Sequence, residues 1–229
     1  MAAEDRTQDV SALITAGRDR EAAQRGAGLH VPPDVRSPRP HGGTTMDPLA
    51  QLDQLGPVLG GVVAGIRPDQ LANSTPCADF DVRGVLEHMI SGATAFAAAY
   101  RGQAAAPPDL RDPLAGFPAA LGDLAAAISA PGALDATVAA PFGEVDGATF
   151  ARFVVLDGLV HGWDMAVATG QAYDPSPELV DAAEAFARDT LDPLRDGQAF
   201  GAAVEPAVDA TPIERLAAYT GRRSMAAST

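Results

Sequence analysis

Lysine is absent from the chain: all 16 basic residues are arginine, which with the wealth of Ala, Gly and Pro reflects coding bias rather than mechanism. Cysteine occurs once, at Cys77, so no intramolecular disulfide can form. Aromatic residues make up 5% of a sequence that is 47% hydrophobic. A core must therefore be built mainly from Ala, Val and Leu, which favours close-packed helices over a β-sandwich. Long apolar runs are missing too; Gly, Asp or Arg interrupts each one well short of the roughly 20 residues that a membrane span needs. The N-terminus lacks a basic start followed by an apolar core, so no secretory signal is expected and the cytoplasm is the simplest location. Positive charge is scarce where nucleic acid would need it. The formal net charge is −14, and 24 of the 30 acids but only 10 of the 16 arginines lie beyond residue 46. Such a domain repels phosphate backbones, so DNA and RNA are not expected partners.

What is present is organised from about Met46 onward. Residues 1–45 end in a stretch dominated by Pro, Gly, Ser and Thr with no apolar period, and read as a disordered extension. Residues 46–229 are expected to form the functional domain. Leu49, Leu52, Leu55, Leu59 and Val63 recur at helical spacing, with Pro57 set to kink that helix or mark its true start. Asp81 reads as the N-cap of a helix from Val82 to about Arg101, with Val85, Met89, Ala93 and Phe96 on its apolar side. A third helical pattern covers residues 112–130 through Phe117, Leu121, Leu124 and Ile128. Between Leu134 and Thr149 the pattern predicts a short hairpin with Asp146 and Gly147 at its turn. An apolar helix then runs from Phe150 and stops at Gly170. Ser176 and Pro177 open a further helix to Thr190, and Thr211 with Pro212 a last short one. Five or six helices with no repeat of fixed period define an all-α chain.

Three polar residues break the apolar helix. Asp157, His161 and Asp164 are spaced i, i+4 and i+7; at about 100° per residue they fall within roughly 60° of arc. Of four histidines, His30 and His41 lie in the extension, leaving His88 and His161 on separate helices. Two imidazoles with Asp157 make a facial set that leaves positions open for water or substrate, as catalytic Zn²⁺ and non-haem Fe²⁺ sites do. The spacing equally allows a plain buried hydrogen bond between Asp157 and His161. Asp164 either accepts a hydrogen bond from a ligating imidazole, which would fix its tautomer, or pairs with Arg152 or another arginine. Cys77 is a thiol ligand or a small buried residue, Trp163 a pocket wall or core. Arg83 can meet an anionic substrate or simply balance acids, and Glu87 points to solvent.

Three stretches carry a resemblance to a known family. Thr75 to Met89 (TPCADFDVRGVLEHM), Asp157 to Gly170 (DGLVHGWDMAVATG) and Asp209 to Arg222 (DATPIERLAAYTGR) resemble, in this order, motifs of the DinB-like metal-binding superfamily. The nearest branch is the N-terminal domain of mycothiol-dependent maleylpyruvate isomerase. The resemblance implies a four-helix bundle with additional short helices and a small hairpin. It also implies a divalent metal held by His88, Asp157 and His161; Asp164 as their supporting group is the expectation from its own spacing. Zn²⁺ is the first expectation and Ni²⁺ or Fe²⁺ the alternatives; mycothiol is the implied thiol cofactor. The isomerase carries Glu where this chain has Asp157, one methylene shorter. About 180 residues after Met46 leave little room for the isomerase's further C-terminal domain, so the substrate stays open. The expectation is a metal-dependent thiol transferase or isomerase acting on a small molecule. Its rival is a non-catalytic protein that holds metal or a small ligand, assembled as a homodimer.

Overall fold

The computed structural model describes residues 46–140, 143–197 and 202–223; the extension expected over residues 1–45 lies outside them. The described elements are α1 (Pro48–Gly65), α2 (Val82–Tyr100), α3 (Pro113–Ile128), β1 (Thr137–Ala140), β2 (Gly143–Asp146), α4 (Gly147–Thr169), α5 (Pro177–Thr190) and α6 (Pro212–Tyr219). Short 3-10 turns cover Pro68–Gln70 and Asp192–Gly197. The result is an all-α bundle with one small antiparallel hairpin, as the sequence predicts. No helix among the described residues is long and apolar enough to cross a membrane.

Helices α1 to α4 form the bundle, with α1 packed on α4 and α2 on α3, while α5 and α6 cover the remaining flank of α4. Helix α4 therefore touches α1, α2, α5 and α6 and is buried nearly all round, from Phe150 through Leu156 and Leu159 to Met165. Such a helix has almost no solvent face, which is why its apolar residues follow no single stripe. Each fully buried Leu or Phe contributes roughly 1.5–3 kcal/mol, enough to hold a central helix against its ordering entropy. Two glycines allow its neighbours to approach. A Cβ on Gly158 would stand 2.7 Å from Leu55 of α1, and one on Gly162 would stand 2.5 Å from the Tyr173 hydroxyl.

Both ends of α4 are fastened. Asp146 caps its start, accepting from Thr149 N (2.8 Å) and from the Thr149 hydroxyl (2.9 Å). At the far end Gly170 adopts a left-handed conformation (φ 69°), and Gln171 N donates to Ala166 O (2.9 Å), closing the helix in the Schellman manner. The loop after α1 takes two of the last carbonyls: Gln70 donates to Thr169 O (3.0 Å) and Asn73 to Ala168 O (2.8 Å).

Three local expectations need correction. Asp146 and Gly147 do not form the hairpin turn: Thr137 pairs with Asp146 and Ala140 with Gly143, which puts Asp146 at the far end of β2. Asp146 instead caps α4, and Gly147 is required because a Cβ there would collide with Ala133 O. Helix α4 accordingly begins three residues before Phe150. Pro57 does not mark the start of α1, which begins at Pro48 and runs through it. Pro57 and Asp53, whose carbonyl loses its helical donor, are both exposed, so water can satisfy that group.

Candidate metal centre

The site begins with two helices whose phases are set locally. Helix α2 starts at Asp81, whose carboxylate accepts from Gly84 N (2.7 Å). The loop before it is pinned by Thr75, whose hydroxyl donates to Phe80 O (2.7 Å) and accepts from Cys77 N (3.2 Å). Phe80 is thereby brought over His88, their rings stacked at 5.3 Å and 29°. On α4, Asp157 and His161 lie one turn apart and face α2.

The structure brings His88, Asp157 and His161 together. Asp157 Oδ1 stands 3.5 Å from His161 Nε2 and 3.8 Å from His88 Nε2, and one donor atom from each residue lies within 4.8 Å of the others. Four ligands at 2.0–2.2 Å around a tetrahedral ion are themselves about 3.3–3.6 Å apart, so this donor set fits a divalent cation after small side-chain adjustment. The shorter Asp157 carboxylate reaches both rings. His161 keeps only 5% side-chain exposure, whereas His88 and Asp157 keep 35% and 38%, so the cluster opens to solvent on their side.

Electrostatics inside the cluster favour charge. Burial would raise the Asp157 pKa, but the neighbouring imidazoles of His161 and His88 outweigh it and hold the carboxyl well below the usual carboxylate range. At His88 burial acts to lower the pKa, and Asp157 outweighs that in turn, leaving it raised.

Behind His161 lies a second group. Asp164, fully buried, stands 3.1 Å from His161 Nδ1, and Arg222 donates to the same oxygen from Nε at 3.3 Å. Asp164 thus meets both expectations at once, imidazole partner and arginine partner, but the arginine is Arg222; Arg152 donates to Ala148 O instead. Cys77, half-buried, completes this group, which also falls within 4.8 Å. Arg222 reaches its sulfur at 3.9 Å. Burial, aided by Asp164, pushes the Cys77 thiol up in spite of Arg222, so it is protonated at neutral pH.

The other candidates fall away from the cluster. Arg83 is tied to Glu87 at 2.7 Å along α2. Trp163 is buried and lines, with Val204, Asp209, Glu214, Arg222 and Arg223 among others, a cavity of about 660 Å³. Sequence reasoning missed Phe80 and Arg222. Phe80 immediately precedes the Asp81 cap and Arg222 follows the glycine that ends α6, but neither position by itself points to the cluster.

A helical bundle that brings a His, an Asp and a His together agrees with the DinB-like class that the family match points to. Within that class the chain belongs to the family described as mycothiol maleylpyruvate isomerase N-terminal domain, which matches residues 52–166. Two Mycobacterium tuberculosis proteins are similar to it: uncharacterized protein MT0763 (strain CDC 1551 / Oshkosh) and uncharacterized protein Rv0738 (strain ATCC 25618 / H37Rv). Each is 33% identical over 180 residues, covering 77% of this chain and 98% of the relative. No solved structure matches.

Proposed function

We propose that the chain is a divalent-metal protein in which His88, Asp157 and His161 hold the ion, Zn²⁺ first, and that the open side serves a low-molecular-weight thiol of the mycothiol type. The convergence of three donor atoms from two helices, half-exposed on one side only, carries this reading. The chemistry is that of a thiol transferase or isomerase acting on a small electrophile; the family name supports the thiol, and the substrate is left general.

When bound, a divalent ion supplies Lewis acidity and deprotonates a coordinating thiol. The chain's own residues prepare the place. Asp164 accepts the Nδ1 proton of His161, which leaves the Nε2 lone pair on the Asp157 side. Phe80 limits rotation of the His88 ring by stacking on it. Asp157 stays ionised, so its carboxylate stands ready as a ligand beside both rings. The exposed edges of His88 and Asp157 leave an approach from solvent.

Metal analysis of untagged wild type, His88→Ala and His161→Ala tests the site: the wild type retains close to one ion and both variants lose it. Equal metal content in all three would sink the reading. Co²⁺-substituted protein tests the thiol, since mycothiol entering the coordination sphere shifts the visible spectrum. Metal binding without a spectral response to any thiol, and without turnover of mycothiol plus an electrophile, would leave the non-catalytic holder in its place.

A further inference from the structure

Both donors to the buried Asp164 converge on one oxygen. His161 Nδ1 lies 3.1 Å from Oδ2, and Nε and Nη2 of Arg222 each lie 3.3 Å from it. The other oxygen, Oδ1, is buried without a hydrogen-bond partner among the described residues. Among the described residues no other hydrogen bond sets the angle of this carboxylate: His161 is the group to be oriented, and Arg222 is the remaining polar anchor. A buried carboxylate held by one mobile donor would leave the imidazole equally mobile.

Arg222 is well placed to anchor because its backbone is itself fixed. Thr211 and Glu214 form a capping box that starts α6, with Thr211 N donating to Glu214 at 2.7 Å. Gly221, with φ of 95°, ends the helix: Gly221 N donates to Ala218 O (3.0 Å) and Arg222 N to Ala217 O (3.0 Å). Only glycine adopts that conformation readily, and it turns the next residue back toward α4. Helix α6 packs on both α4 and α5. The guanidinium is also held at Nη1 by Thr220 O (3.4 Å), and its side chain keeps only 15% exposure.

We propose that Arg222 is a positioning residue of the metal centre: it fixes the Asp164 carboxylate, which fixes the orientation and the Nδ1–H tautomer of His161, so that Nε2 presents its lone pair beside Asp157 and His88. This rests on the metal reading for its purpose, though not for its geometry. The end of α6 is thereby part of the site, although it lies beyond the segment that the family match covers. A purely structural role, in which Arg222 only neutralises Asp164 and tethers α6, would affect stability alone.

The test uses the full chain as wild type, Arg222→Met, Arg222→Lys and His88→Ala. In metal-free protein, long-range ¹H–¹⁵N NMR reads the His161 tautomer: wild type shows the Nδ1–H form, and Arg222→Met shows a mixture or the other tautomer. Competition with a chromophoric chelator reads Co²⁺ affinity, expected to fall roughly 10–100-fold in Arg222→Met with displaced visible bands. Arg222→Lys keeps the charge but not the planar fork, and falls between the two. A lowered Tm with unchanged tautomer and Co²⁺ affinity within about twofold of wild type would overturn the proposal. If Arg222→Met does not fold, the lysine variant decides by the same two readouts. If wild type and His88→Ala bind Co²⁺ equally poorly, the metal reading fails, and the tautomer in metal-free protein still decides the role of Arg222.

Discussion

The two nitrogens of His161 face opposite surroundings. On the Nε2 side stand His88 and Asp157, each more than a third exposed. On the Nδ1 side stand Asp164, fully buried, and Arg222, which lies against both Asp164 and Cys77. Either side supplies three potential ligand atoms within the same 4.8 Å. The difference is that the inner side already holds a cation, the guanidinium, whereas the outer side has two histidines, an ionised carboxylate and access from water. A cluster of ligand-type residues is thus not by itself a metal site; what else has claimed its charge decides.

The largest separation of the two sides is expected from single carboxylate changes. Asp164→Asn removes an ionic acceptor behind His161 and should weaken metal binding roughly 10–100-fold, as loss of such supporting groups does, with a lower Tm. Asp157→Glu keeps a carboxylate on the outer side and should retain or raise affinity. Chelator competition reads both; complete loss of binding in Asp157→Glu would show that this carboxylate is not a ligand. Next in size is the effect of pH. Because Asp157 raises the His88 pKa above its ordinary 6.5, a proton must leave His88 on metal binding even above that pH. Affinity should fall as pH drops, by about tenfold per unit for each proton displaced. The metal-free fold responds with the opposite sign. The His88 and Asp157 attraction stabilises it fully below about pH 6.5 and is lost as pH rises through the raised value. Metal affinity and metal-free Tm measured from pH 5 to 8 check both directions; parallel trends would break the assignment.

Smaller effects probe the packing behind the cluster. Gly162→Ala drives a methyl group into Tyr173 and should cost about 1–3 kcal/mol, seen as a Tm several degrees lower while one ion is still retained. An unchanged Tm would mean that Tyr173 yields freely. Smallest of all is truncation to begin at Met46, which should leave fold and metal content as they are; circular dichroism and metal analysis check this, and loss of either would move the domain boundary upstream.

The helices were legible because their signals are local. Asp81, Ser176 and Thr211 each cap the helix that the sequence assigned to them, and Gly170 stops α4 where expected. The Asp157 and His161 pairing followed from the helical repeat. The Asp146-Gly147 pair misled because a cap followed by a glycine reads the same as a hairpin turn, and only the approach of Ala133 distinguishes them. Arg222 was not legible: it is 58 residues from Asp164 in sequence, and no periodicity links α4 to the residue that follows α6. Phe80 over His88 likewise depends on the path of the Thr75 loop.

Helix α4 is clamped at Asp146 and again by Gln70 and Asn73 near Gly170, and clamping at both ends leaves it no freedom to rotate about its axis. Its length is consequently part of the site's address. Adding or deleting one residue between Asp146 and Asp157 would swing Asp157 and His161 by about 100° away from His88, or else force one clamp to let go. The connection between α2 and α3 can change length without that penalty, so natural or engineered insertions belong there, while this 23-residue span can be altered only by substitution.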